Sequence, residues 1–324
     1  MTAADLRLQD LSVTYRGARG PVPAVRSVTL AIAAGAPVGL AGESGSGKST
    51  IAHAVLRLLP PGTELTGQIL LDGEDVVTMG WGRLRAVRWA GAAIVFQGAL
   101  HALNPIRRVV DQVAEPVLIH SAGTTHRQAR DRAAEMLSRV GLPAGTSARY
   151  PHQLSGGQRQ LALIAMAMVC SPRFVIADEP TSAVDTVTRA RVVRLLTATA
   201  AEQDIGLLLI SHDLTLLTTA CTRLAVMYAG RVIEHGPTAD LASAPRHPYT
   251  AALLAAAPAV GDPAARYRPR GLPGDPPDPT ALPPGCAFQP RCPRATAACA
   301  TTDVELRADG PARRTACLHP GPAT

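Results

Sequence analysis

Leu6 and Leu8, then Leu11, Val13 and Tyr15, alternate with polar neighbours, the period of a strand with one buried face, so the chain is expected to open in β structure. A short apolar run, 37–41, then meets a glycine-rich turn and a helix-forming segment from Ser49 to Leu59, which Pro60, Pro61 and Gly62 stop. Ile94, Val95 and Phe96 read as a further strand ending at Gln97. From about Val109 to Val140 the apolar positions recur at helical spacing, broken around 121–125 and stopped at Gly141, which predicts a helical insertion in an α/β core. A helix beginning at Ser155 precedes three strand-like runs, 174–177, 207–210 and 224–227. Helical segments separate the first two, and such alternation implies a mostly parallel sheet with ligand at the carboxyl ends of its strands. After about Gly236 the character changes, and eight prolines between Pro263 and Pro284 predict an extended linker. No internal repeat is visible.

At 324 residues the chain is long enough for one large domain plus an appendage. Hydrophobic residues make up 47% but aromatics only 3%, so the core is expected to be aliphatic. No run of eighteen apolar residues occurs, and the segment Met1 to Asp10 carries Asp5 and Asp10 where a secretory signal is basic and then apolar. A cytoplasmic location is the expectation, with any membrane span supplied by other subunits. The net charge of +7 is scattered, aromatics are scarce and no stacking motif is present, so nucleic acid is not expected as a partner. A basic surface near anionic lipid headgroups accounts for the charge. Of 32 basic residues, all but Lys48 are arginine. A single ammonium in such a chain marks a position that requires a compact point charge.

That position lies in Gly42-Glu43-Ser44-Gly45-Ser46-Gly47-Lys48-Ser49, followed by Thr50, which fits the phosphate-loop pattern between a strand and a helix. Its glycines let backbone N–H groups wrap phosphates, and the helix N-terminus adds positive potential. Lys48 is expected to reach the β and γ phosphates of ATP, and Ser49 to hold Mg²⁺. A second apolar run, 174–177, delivers Asp178 and Glu179 at its end. Asp178 is placed to serve Mg²⁺, and Glu179 to polarise a water for attack on the γ-phosphate.

Leu154-Ser155-Gly156-Gly157-Gln158 resembles the signature sequence of ABC ATPases. Its physics is another capped helix start, with the Ser155 hydroxyl and the N–H groups around Gly157 facing phosphate. The resemblance covers about residues 1–250 and implies an ABC-type ATPase core, α/β with a parallel sheet. It implies that Tyr15 stacks on adenine, that Gln97 senses Mg²⁺ and the membrane subunits, and that the loop 182–185, with Asp185, crosses a dimer interface. His212, in Ile210-Ser211-His212-Asp213, matches the family's switch histidine beside the γ-phosphate. A signature that completes the opposite subunit's site implies a head-to-tail sandwich with a second ATPase subunit, either another copy or a paralogue.

Leu103-Asn104-Pro105, the run 177–181 and His247-Pro248-Tyr249-Thr250 resemble the oligopeptide, dipeptide and nickel importer branch, as does the tail segment 285–293. The branch implies two transmembrane permease subunits, an extracytoplasmic substrate-binding protein, and a place on the cytoplasmic face of the membrane. Two positions depart from it: residues 98–101 replace a more usual acidic, proline-containing stretch, and Leu161 stands where arginine is common. Domains are expected at 1–240, with a helical subdomain at about 98–153, and at 241–324 for a cysteine-containing extension. Cys286, Cys292, Cys299 and Cys317 are open to three readings, a four-iron iron-sulfur cluster implied by the branch's cysteine-bearing tail, zinc, or free thiols. Cys170 and Cys221 lie in apolar segments and read as core. The cargo is expected to be a di- or oligopeptide. A nickel or metal-chelate importer is the alternative, and a soluble ABC protein acting on nucleic acid or ribosomes is the reading from another class.

Overall fold

The computed structural model describes residues 4–98, 102–182, 184–256 and 271–322. Along the chain run β1 (Ala4–Gly17), β2 (Gly20–Ala33), β3 (Val38–Ala41), a helix Lys48–Val55, β4 (Glu64–Leu71), β5 (Glu74–Asp75), a helix Trp81–Val87 and β6 (Ala92–Val95). Helices Val109–His120, His126–Arg139 and Gly156–Met168 follow, then β7 (Phe174–Asp178), a helix Thr186–Glu202, β8 (Gly206–Ser211), a helix Leu214–Ala220, β9 (Arg223–Tyr228) and β10 (Arg231–Pro237). The tail carries helices Thr238–Ser243, Pro248–Ala256 and Ala297–Thr301 and two short strands, β11 (Arg307–Ala308) and β12 (Arg314–Thr315). The chain divides into two compact units, one of residues 1–6, 32–37 and 71–210, the other of 7–31, 38–70 and 211–324. These cuts differ from the expected division near residue 240. Among the described residues no helix is long and apolar enough to cross a membrane.

In the first unit β6, β7 and β8 pair in parallel, Ala92 against Phe174 and Phe174 against Gly206. Every residue of β7 and β8 is buried, the continuous apolar pattern of a parallel strand covered on both faces. Helices Val109–His120 and His126–Arg139 form where the helical insertion is expected, and both pack on the helix Gly156–Met168. Thr125 and Gln128 exchange reciprocal bonds at the second helix's start, Thr125 N to Gln128 Oε1 at 2.9 Å and Gln128 N to Thr125 Oγ1 at 3.3 Å. Gly141, at φ 85°, follows that helix as its stop.

In the second unit β1 lies between β2 and β4. The buried positions of β1 shift from Leu6 and Leu8 to Leu11 and Val13, a change of parity that needs an extra residue. Asp10, at φ 47°, supplies it, with its N–H bonded to Thr29 Oγ1 at 3.0 Å. Ser27, also at φ 47°, makes the matching slip in β2, and its N–H bonds to Ser12 Oγ at 2.9 Å. A side chain at Gly67 would stand 2.5 Å from Asp10 O, so glycine is required where β4 passes this bulge.

β3 pairs in parallel with β9, which turns through Ala229 and Gly230, both at positive φ, into antiparallel β10. The tail then continues the same pairing: β12 adds to β10, Glu234 against Thr315, and β11 adds to β12. Glu234, fully buried, accepts Arg246 N–H at 2.8 Å, His247 N–H at 2.9 Å and the Arg313 guanidinium. Arg246 holds Asp309 through two bonds of 2.7 and 2.8 Å, and Asp303 takes both Arg26 and Arg231. Residues 271–284 form no helix or strand, as the prolines predict, and the rest of the expected linker lies outside the described residues.

Two expectations are corrected. The first helix ends at Val55 rather than Leu59, because Arg57 turns to φ 49° and Leu58 N bonds back to His53 O. β6 stops at Val95, leaving Phe96 39% exposed.

Glu234→Ala removes the acceptor for two backbone N–H groups and a buried guanidinium, a loss of about 3–5 kcal/mol. The expected outcome is a lower thermal midpoint, with amide protection lost at Thr315 and Ala316 while β7 stays protected in hydrogen exchange.

Candidate functional site

The second unit holds the phosphate loop. β3, fully buried, delivers residues 42–47 at its carboxyl end. A Cβ on Gly47, whose φ is 103°, would lie 2.2 Å from Ala24 O, and one on Gly42 would lie 2.4 Å from Met227 O. Only glycine lets the loop pass this close to its neighbours. Gly230 N bonds to Ser46 O at 3.1 Å and Ser46 N to Glu43 O at 3.2 Å, closing the loop on itself and on the β9–β10 turn. Lys48, 7% exposed, folds its Nζ back to Gly42 O at 2.7 Å, Glu43 O at 2.8 Å and Ser46 Oγ at 3.4 Å. The helix it starts has no side-chain cap at Gly47, and a helix N-terminus of this kind suits an anion.

Thr50, one turn in, accepts the Tyr15 hydroxyl at 3.1 Å. Tyr15 lines an open cleft of about 660 Å³ with Thr14, Arg16, Pro21, Thr63 and Glu64. His212 lies exposed just beyond β8, and Asp213 beside it caps the following helix through Leu216 N at 3.1 Å.

The first unit holds the carboxylates and the signature. Asp178 ends β7 and Glu179 follows it, at 2% and 7% exposure. Glu179 sits at φ 47°, unusual for a glutamate, and its N–H bonds to Ile210 O at 3.0 Å. Gln97 is exposed two residues beyond β6, and residues 99–101 lie outside the described residues.

Ser155 caps the helix Gly156–Met168 through Gln158 N at 3.2 Å, and Gln158 Oε1 accepts Ser155 N–H at 3.1 Å. Asp185 caps the helix Thr186–Glu202 in the same way, accepting Thr188 N at 3.0 Å and its hydroxyl at 2.6 Å. Gly157 faces Thr188, where a Cβ would meet Cγ2 at 3.3 Å, so the two capped turns lie together. Ala183, within the expected interface loop, lies outside the described residues.

The four tail cysteines form no disulfide and line one cavity of about 20 Å³ with His247, Phe288 and His319. Burial raises the thiols of Cys286, Cys292 and Cys317. His247 is fully buried and held neutral, its pKa pushed down to about 3, and its Nδ1 accepts Tyr249 N–H at 3.0 Å. Among the described residues no group of three or more His, Cys, Asp or Glu is disposed to hold a metal ion. The cavity has room for a water rather than a cluster, so the iron-sulfur expectation finds no support in this arrangement. Cys221 is buried, its pKa raised to about 12, as expected for a core thiol, whereas Cys170 is only half-buried, with its pKa raised by burial.

Sequence reading missed the groups that hold the phosphate loop from behind. Tyr249 Oη accepts Glu43 N–H at 2.9 Å, and Arg291 pairs with the Glu43 carboxylate. Both lie in segments already notable for their motifs, but nothing in a linear pattern links them to Glu43.

Residues 25–182 match the family model described as ABC transporter, and residues 233–299 match the model described as oligopeptide/dipeptide transporter, C-terminal region. A probable D,D-dipeptide transport ATP-binding protein of Escherichia coli (strain K12) is 42% identical over 99% of this chain and 98% of its own length. A putative peptide import ATP-binding protein of Brucella abortus (strain 2308) is 39% identical over 91% and 90%. A solved bacterial ABC transporter cassette in dimeric form superposes with a TM-score of 0.66 at 27% identity, covering 72% of this chain and 98% of its own. A structure of that cassette after hydrolysis, with ADP and Pi bound, matches equally well. With relatives of this identity aligned along nearly its whole length, the chain belongs to the ABC transporter ATP-binding family.

Proposed function

We propose that the chain is the ATP-hydrolysing subunit of an importer for di- or oligopeptides. The observation that carries the reading is β7, a fully buried strand that ends in Asp178 with Glu179 next, in a chain that aligns along nearly its whole length with relatives named as dipeptide-transport and peptide-import ATP-binding proteins. The tail's match to the oligopeptide/dipeptide region supports the cargo class.

In this reading Lys48 and the N–H groups of residues 42–50 bind the β and γ phosphates, and Tyr15 stacks on adenine. Ser49, Gln97 and Asp178 would supply the hard oxygen donors that Mg²⁺ takes, and the ion would supply neutralisation of phosphate charge. Glu179 accepts a proton from water as its oxygen attacks the γ-phosphorus and the bond to the β-phosphate oxygen breaks, leaving ADP and phosphate. His212 stabilises the transferred charge. Ser155, Gly157 and Asp185 serve the site of a second ATPase subunit. The partners are that subunit, a copy or a paralogue, two permease subunits and an extracytoplasmic binding protein, and the chain works at the cytoplasmic face of the membrane.

Glu179→Gln is expected to lower ATP turnover by about 10²–10⁴-fold while ATP binding persists, measured by phosphate release beside equilibrium nucleotide binding. Lys48→Arg is expected to fail as a replacement. A planar guanidinium cannot make the three contacts of a buried ammonium, and ATP affinity should fall by about tenfold or more. Purification from native membranes should recover two permease subunits and a peptide-binding protein. A binding protein that takes nickel chelates instead would move the cargo to the metal alternative, and ribosomes or nucleic acid would remove the importer reading. The iron-sulfur reading of the tail rests on the resemblance of its four cysteines to the branch's cysteine-bearing tail alone, since the cavity they line gives it no support. Iron and acid-labile sulfide on anaerobically purified protein decide it, with about four of each per chain expected and none removing it.

A further inference from the structure

Glu43 is an awkward residue for a phosphate loop. Its carboxylate sits beside the loop that is to receive a polyanion, and like charges at short range disfavour binding by an amount that grows as water is excluded. Its backbone carbonyl is also one of the acceptors of Lys48 Nζ, at 2.8 Å. Whatever fixes Glu43 therefore fixes Lys48.

The tail does both tasks. Arg291 ends a short turn, Gln289–Arg291, immediately before Cys292. Its guanidinium, 6% exposed, meets the Glu43 carboxylate through two bonds, Nη1 to Oε2 at 2.7 Å and Nη2 to Oε1 at 3.0 Å. Nε donates to Pro273 O at 2.7 Å and Nη1 also reaches Tyr228 Oη at 3.3 Å, so the fork is held from three sides. Tyr228, Tyr249 and Phe288 pack around it, with ring centroids 4.6 to 5.3 Å apart. These are three of only ten aromatic residues in the chain, gathered around the guanidinium side of one ion pair whose Glu43 side chain stays 23% exposed. Tyr249 adds the second attachment by accepting Glu43 N–H at 2.9 Å. All of these residues belong to the second unit.

We propose that Arg291 is a positioning residue for ATP: from the C-terminal tail it neutralises the Glu43 carboxylate, while Tyr249 holds the Glu43 backbone whose carbonyl orients Lys48. The inference rests on the reading of the chain as a nucleotide-binding subunit. A tail that merely anchored itself on Glu43 would use the same contact, but the two roles differ in how charge removal acts. If neutralisation matters, Arg291→Gln leaves a bare carboxylate beside the phosphates, and removing that carboxylate as well should relieve the defect. If the contact is only an anchor, the double variant is as defective as the single one.

The test is equilibrium binding of MgATP to the full chain, with thermal unfolding of each variant recorded in parallel. Arg291→Gln should weaken binding roughly tenfold. The double variant Glu43→Gln with Arg291→Gln should recover most of that loss. Glu43→Gln alone leaves an unopposed guanidinium and should bind MgATP more tightly than the unaltered chain, which keeps the test decisive even where Arg291→Gln does not fold. Equal loss in the single and double variants, or weaker binding by Glu43→Gln, overturns the proposal. An unaltered chain that fails to bind MgATP would instead overturn the nucleotide-binding reading on which it rests.

Discussion

Residues 42–47 pass between the carbonyls of Ala24 and Met227 with no space for a Cβ at Gly42 or Gly47, and the ligand-binding half of the molecule depends on that tightness. A loop so confined cannot drift sideways, so its N–H groups keep one direction without the support of a side-chain cap. The same confinement turns the carbonyls of Gly42 and Glu43 onto Lys48. Preorganisation of this kind matters in recognising a polyanion, since donors already aimed need no reorganisation when charge arrives. The carboxylate half follows another rule. Asp178 and Glu179 are placed by a strand buried along its whole length, and their precision comes from β-sheet packing.

Much of this was legible in the amino-acid sequence because it is local. Strands 207–210 and 224–227, the helix stop at Gly141 and the capped start at Ser155 each rest on residues within a few positions of one another. The phosphate loop is the strongest case, where the required glycines and the lysine stand within eight residues. What escaped was set by long-range partners or by single backbone choices. The slip of parity in β1 depends on Asp10 taking a positive φ beside β2 and Gly67. The early end of the first helix depends on Arg57 doing the same.

The tail was the least legible part. Its two strands are two residues each, too short for any periodicity, and they exist because β10 offers them an edge. Glu234 in β10 gathers Arg246, His247 and Arg313 from positions that no pattern connects. A run rich in proline led the reading toward an appendage on a linker. The ion pairs and strand additions show a segment built into the same compact unit as the phosphate loop.

The solitary lysine has a chemical corollary. In most proteins side-chain amines are scattered over the surface, and acylating reagents, aldehydes and metabolic acyl donors strike many of them at once. Here the chain offers one such group, largely buried and bonded to its own loop. Any amine-directed reaction at a side chain of this protein is therefore a reaction at its phosphate loop, and its progress is a direct readout of how open that loop is.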